Sequence, residues 1–380
     1  MNIKSLILGS AISALAVTGA KAADAIVFAE PEPVEYVRVC DVYGAGFFYI
    51  PGTETCLRIS GYVYHQVGAT SWSDAGDTAS WAGSTGTRDD QFTSKTRARV
   101  NFDARSETQY GTLRSYIRIQ TDFTEENYST DGRAGTGFDQ AWLSLGGFLA
   151  GYTNSAFHSS NLVGSLTSGT GFADDSNAYS DHQRQLIQYN FTGANGFFGI
   201  VSLENDPDDG SATHAPVGLD RANYLPDIVG KIGVQQGWGA AWLTVGVDED
   251  SFWTGDTEFA VKAGLHYNIP GMRGSAFRLV GHYNSDANIY QQGNTNLRWS
   301  SEWSVYAGYT HQFTPQVAAW IGGAYYSDVA YVSGDDGFHV ETGLTWTPVK
   351  DFQIRAEAVY AKMDPLDGTV SGFLRFTRSF

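Results

Sequence analysis

From Cys56 onward, side chains along the chain sort onto two faces, two residues at a time. In CLRISGYVYHQV, Leu57, Ile59, Gly61, Val63 and Val67 fall on one face, and Arg58, Ser60, Tyr62, Tyr64 and Gln66 on the other. A period of two predicts a strand with one apolar and one polar face. In SKTRARVNFDARSE, Ala98, Val100, Phe102 and Ala104 alternate with Arg97, Arg99, Asn101, Asp103 and Arg105. After a turn at 108–111 the chain returns, with Leu113, Ile117 and Ile119 opposite Arg114, Tyr116, Arg118, Gln120 and Asp122. The same pattern predicts strands near 137–146, 147–156, 184–192, 196–205, 226–235, 239–249, 257–269 and 274–285. It continues near 299–312, 317–328, 336–347, 351–362 and 370–380, which makes about sixteen segments of roughly ten residues, enough to cross a hydrocarbon layer at a tilt.

The connections carry a second pattern. Long ones fall at 68–93, 125–136, 157–183, 206–225, 249–256, 286–298, 329–335 and 363–369. Between them lie brief turns such as Gly193–Gly196, Ile269–Gly274 and Thr347–Asp351. Transmembrane β-barrels sort their connections this way, with short periplasmic turns and longer outer loops, whereas a soluble sandwich has no reason to. The fold class predicted is therefore all-β, a transmembrane antiparallel barrel of about 16 strands over residues 56–380, whose first strand runs outward. The last segment, GFLRFTRSF, ends on Phe380 with Leu374 and Phe376 in step. A terminal aromatic strand lets the barrel close on its first strand and removes both edges.

Composition agrees: 44 Gly, 21 Tyr, 22 Phe and 10 Trp fit aromatic strands joined by tight turns. Residues 1–22 read as a signal peptide, with Lys4, an apolar centre from Leu6 to Val17, and small residues at Ala20 and Ala22. That centre is too short to span a bilayer as a helix. Residues 23–55, with Pro31 and Pro33 among acids, read as an N-terminal lead-in. The net charge of −17 becomes more negative once Lys4 and Lys21 leave with the signal, which excludes nucleic acid as a partner. Cys40 and Cys56 are the only thiols, and an exported pair predicts a disulfide over a metal site, with two free buried thiols as the alternative. If bonded, they close DVYGAGFFYIPGTET, a crosslink contributing about 3 kcal/mol in the chain-entropy model.

The segments VEYVRVCDVYGAGFFYIPGTETCLRISGYV, GGFLAGYTNSAF and GFLRFTRSF carry a resemblance over essentially the whole chain. It resembles the alphaproteobacterial branch of the general porins, of the rhizobial and Brucella type. The resemblance implies a sixteen-stranded barrel in the outer membrane of a Gram-negative bacterium, in contact with lipid and lipopolysaccharide. It implies a homotrimer, no cofactor, and passive diffusion of small hydrophilic solutes and ions. It also implies that the third outer loop, 157–184 here, folds into the lumen as a constriction loop. The chain departs from the family pattern at Tyr152, where relatives often have Arg after the Ala-Gly pair.

In so wide a barrel the lumen is water-filled, so the polar strand faces line a channel. Arg97, Arg99, Arg114 and Arg118 fall on polar faces of two consecutive strands and would stack on one wall. Asp174, Asp175 and Asp181, on the long insert, are the acidic candidates opposite. Such a pair of walls sets a transverse field that charged solutes must cross. The plainer reading is that the arginines pair with neighbours such as Asp103 and Asp122, or meet lipid headgroups. Acids at Asp206–Asp209, Asp248–Asp250 and Asp335–Asp336 are expected in outer loops, either solvated or holding divalent cations between lipopolysaccharides. His158 with Ser159 and Ser160, or Asp181 beside His182, could be imagined as parts of a hydrolase. With no GxSxG elbow and no HExxH, an enzyme is not expected. The alternative function is a structural or adhesive barrel with a plugged lumen and binding outer loops.

Overall fold

The computed structural model describes residues 38–72, 78–81, 84–87, 91–124, 135–157, 183–205, 225–251, 254–290, 300–364 and 367–380. The proposed signal and the lead-in up to 37 lie outside them. Sixteen strands form the barrel. They are β1 Cys56–Trp72, β2 Gln91–Thr108, β3 Gly111–Thr124, β4 Gly135–Leu145, β5 Phe148–Asn154, β6 Gln183–Thr192, β7 Phe197–Glu204 and β8 Asp227–Gln236. The second half comprises β9 Gly239–Asp248, β10 Glu258–Asn268, β11 Ala276–Asn284, β12 Ser301–Thr314, β13 Val317–Val329, β14 Gly337–Val349, β15 Phe352–Met363 and β16 Thr369–Ser379. Each strand pairs antiparallel with the next, and β16 returns to β1, so the sheet closes without an edge. The alternation of brief turns and long connections is kept around the whole ring.

Burial follows the period of two. Ile59, Ile117, Leu143, Ile187, Val201, Ile232 and Leu243 point outward and stay exposed, while Tyr64, Gln66, Asp103, Gln140, Ser202 and Lys231 point inward and are buried. An apolar belt outside and polar chains inside is the reverse of a soluble core, and it fits a barrel whose solvent is lipid.

At the seam, Gly61 N–H donates to Phe380 O at 2.9 Å, and Phe380 N–H donates to Gly61 O at 3.0 Å. On its other side β1 approaches β2 so closely that a Cβ on Gly61 would lie 2.1 Å from Arg99 O. Beyond this pairing, Phe48 and Tyr49 add on to the start of β1 opposite Leu57 and Cys56. The disulfide expected from the sequence is present, joining Cys40 to Cys56 with their Cα atoms 5.9 Å apart. The two cysteines pack with Phe47 in a small apolar cluster, and Arg58 and Arg105 lie over the Phe47 ring, so residues 39–55 are folded against the barrel end.

A ladder of arginines on the inner wall

All four arginines singled out in the sequence stand on the inward faces of β2 and β3, and each is tied to a carboxylate. Arg97 grips Asp122 with two bonds, Nε to Oδ1 at 2.5 Å and Nη2 to Oδ2 at 2.6 Å, and Lys95 approaches the same carboxylate at 3.6 Å. Arg114 grips Asp103 at 2.8 and 2.9 Å, Arg105 does so at 2.9 and 2.7 Å, and Arg58 stands 3.4 Å away. Arg118 reaches Asp139 at 3.2 Å, with Arg99 Nη2 3.6 Å from the same oxygen. These side chains face inward, and each is paired with a carboxylate.

The pairs form three rungs along the strands. Lys95, Arg97 and Asp122 stand at the outer end, Arg99, Arg118 and Asp139 midway, and Arg58, Arg105, Arg114 and Asp103 towards the short-turn end. Among the described residues seven cations share three carboxylates here, an excess of positive charge in a chain that is acidic overall. Aromatic rings hold the guanidiniums in line. Tyr62 and Tyr64 stack at 5.8 Å, as do Tyr116 and Trp142 at 5.2 Å. Arg99 lies over Tyr62 at 5.1 Å, Arg97 over Tyr64 at 5.6 Å and Arg114 over Trp142 at 4.6 Å. A planar cation over a ring face is attracted by the ring's quadrupole and loses less freedom when it binds.

Asp139 was not among the sequence candidates, and a bulge explains why. Arg118 pairs with Gln140 and Ile119 with Phe138, which leaves Asp139 as the extra residue of β4. Alternation counted back from Gln140 would turn Phe138 inward and Asp139 outward. The inserted residue reverses this: Phe138 is 69% exposed, and the Asp139 carboxylate meets the arginines.

Of the third outer loop the described residues are Ser155–Phe157 before β6; Asp174, Asp175 and Asp181 lie outside them. Ser155, Ala156 and Phe157 are buried. Ala156 N–H donates to Glu204 Oε1 at 3.0 Å, and Lys231 Nζ donates to Ala156 O at 3.5 Å. The Phe157 ring packs 5.0 Å from Tyr290 and 5.5 Å from His282, with Lys262 Nζ 4.8 Å from its centre. These partners come from the inward faces of β7, β8, β10 and β11 and from the connection after β11. Burial first, and then the carboxylates of Glu204 and Asp227, keep the Tyr290 hydroxyl protonated well above its usual range.

Residues 24–371 match the family model described as the porin subfamily. The chain belongs to the porin family. Porin Omp2b of Brucella abortus (strain 2308) is 34% identical over 388 residues, with the whole of both chains covered. Among solved structures, the outer membrane channel DcaP of Acinetobacter baumannii superimposes with a TM-score of 0.63 at 19% identity, covering 87% of this chain and 99% of that one. The anion-selective porin from Comamonas acidovorans gives 0.56 at 12% identity, covering 86% and 100%. As an alphaproteobacterial general porin, the molecule is a Gram-negative outer-membrane channel for passive diffusion of small hydrophilic solutes; family membership implies a channel rather than an enzyme.

Proposed function

We propose that the arginine ladder is the charge-selecting wall of this porin's constriction, and that the third outer loop folds inward to face it. The observation that carries the reading is the excess of cations over carboxylates on one inward-facing wall. At about 4 Å a unit pair is worth roughly 1 kcal/mol in water and about 4 kcal/mol at an effective dielectric of 20, enough to bias ions without excluding them. The inward packing of Ala156 and Phe157 supports the loop's course. Asp174, Asp175 and Asp181 on that loop would supply the opposing charge. Small hydrophilic solutes and ions are the cargo, no cofactor takes part, and lipid with lipopolysaccharide surrounds the barrel. Assembly as a homotrimer belongs to the same proposal and rests on the family.

The test is the reversal potential of a planar bilayer under a salt gradient. Replacing Arg97 and Arg114 together by Glu should raise cation over anion permeability. An unchanged reversal potential would sink the proposal.

A further inference from the structure

The three rungs differ in how firmly each carboxylate is held. Asp122 receives two bonds from one guanidinium at 2.5 and 2.6 Å, and Asp103 receives four from two guanidiniums at 2.7 to 2.9 Å. Asp139 receives a single arginine bond at 3.2 Å, and the second guanidinium, Arg99, remains 3.6 Å away. Arg99 directs its hydrogen bonds to a neutral acceptor, Gln120 Oε1, and Arg118 directs Nε and Nη2 to the Tyr116 hydroxyl at 3.3 Å. Two guanidiniums thus converge on one loosely bound oxygen, Asp139 Oδ2. A guanidinium prefers a bidentate, charge-assisted pairing, which neither Arg99 nor Arg118 has here.

Position adds to the contrast. Arg99 lies midway along β2, about 6.6 Å along the strand from Arg97 at the strand rise per residue. Tyr62 backs Arg99 and Tyr116 backs Arg118 at 5.1 and 5.7 Å, so both cations are held in place whichever acceptor they meet. Asp139 sits on a bulge, and its other oxygen accepts from Gln183 Nε2 at 3.2 Å. Gln183 is the first residue of β6, directly after the third outer loop. The carboxylate therefore has a second anchor when it gives up its arginine contact.

We propose that this middle rung is an anion station. The oxyanion of a permeating phosphate- or carboxylate-bearing solute exchanges with Asp139 across Arg99 and Arg118, and Asp139 sets how tightly it is held. The inference rests on the reading of this wall as pore-lining and charge-selecting, and deepens it by naming the station and its internal competitor.

Single-channel recording in chloride with added inorganic phosphate separates the two claims. Phosphate should reduce the chloride current in a saturable way. Asp139→Asn, which removes the competitor, should lower the half-blocking phosphate concentration about fivefold, the factor expected of one screened charge contact. Arg99→Gln should raise it by a similar factor. Arg97→Gln removes the same charge one rung away and should raise it less. Equal effects of Arg97→Gln and Arg99→Gln, or no opposite shift between Asp139→Asn and Arg99→Gln, would overturn the station while the reversal-potential result for the wall still stood. Should Asp139→Asn fail to form barrels that keep their folded mobility in detergent gels, the comparison of Arg99→Gln with Arg97→Gln decides alone.

Discussion

Phe157 shows how much one side chain can do at the start of a loop. Its ring is fully buried among Tyr290, His282 and the Lys262 ammonium, and the peptide before it bonds to Glu204 and Lys231. A loop that left β5 straight for solvent would gain nothing from such packing. Phe157→Ala removes a ring from a close-packed site, a change that costs about 3 to 5 kcal/mol in protein interiors. The expected outcome is a barrel that still forms, unfolds at lower urea, and shows a larger and noisier open-channel current. A variant indistinguishable from wild type in both measurements would mean that the ring does not anchor the loop.

At the scale of the strand, much is legible in the sequence alone. The alternation in CLRISGYVYHQV sets Tyr64 and Gln66 inward and Ile59 and Val63 outward, as observed, because lipid and lumen impose opposite polarity on the two faces. The Arg97, Arg99, Arg114 and Arg118 faces were legible for the same reason. Their partners were only partly so. Asp103 and Asp122 share the strands and the parity of the arginines. Asp139 escapes because one extra residue in β4 breaks the count, and nothing local in GTGFDQAWLSL marks the break. Asp174, Asp175 and Asp181 lie on the long insert, where only loop position, with no periodicity, speaks for them. Gly61 is a strand-scale case of another kind, since its place in the polar and apolar alternation says nothing of the Arg99 carbonyl that would meet a Cβ. Gly61→Val should therefore strain the pairing of β1 with β2 beside the seam and reduce the yield of heat-resistant folded barrel in detergent gels. Normal yield would show that β1 and β2 can part locally at little cost.

For the whole molecule, the strict succession of brief turns and long connections orders the ends of the cylinder, and the closed hydrogen-bond ring makes β1 and β16 a single continuous wall. The arginine ladder sits next to this joint, on β1, β2 and β3, with Arg375 of β16 bonded to Gln66 Oε1 across it at 2.7 Å. The first and last strands thereby carry neighbouring charges of one wall, and the proposed selecting surface runs across the line of closure. The crosslink at the far end of β1 bears on time. Cys40 and Cys56 are 16 positions apart and make a local bond, yet in the closed barrel both are buried, at 1% and 3% exposure. An oxidant reaches them easily on the nascent exported chain and poorly afterwards. Oxidation should therefore come first and closure second. A pulse-chase with a thiol-alkylating reagent should find the cysteines protected before the heat-resistant barrel appears. The bond would then act as an early clasp, giving β1 a shaped end before its last partner arrives.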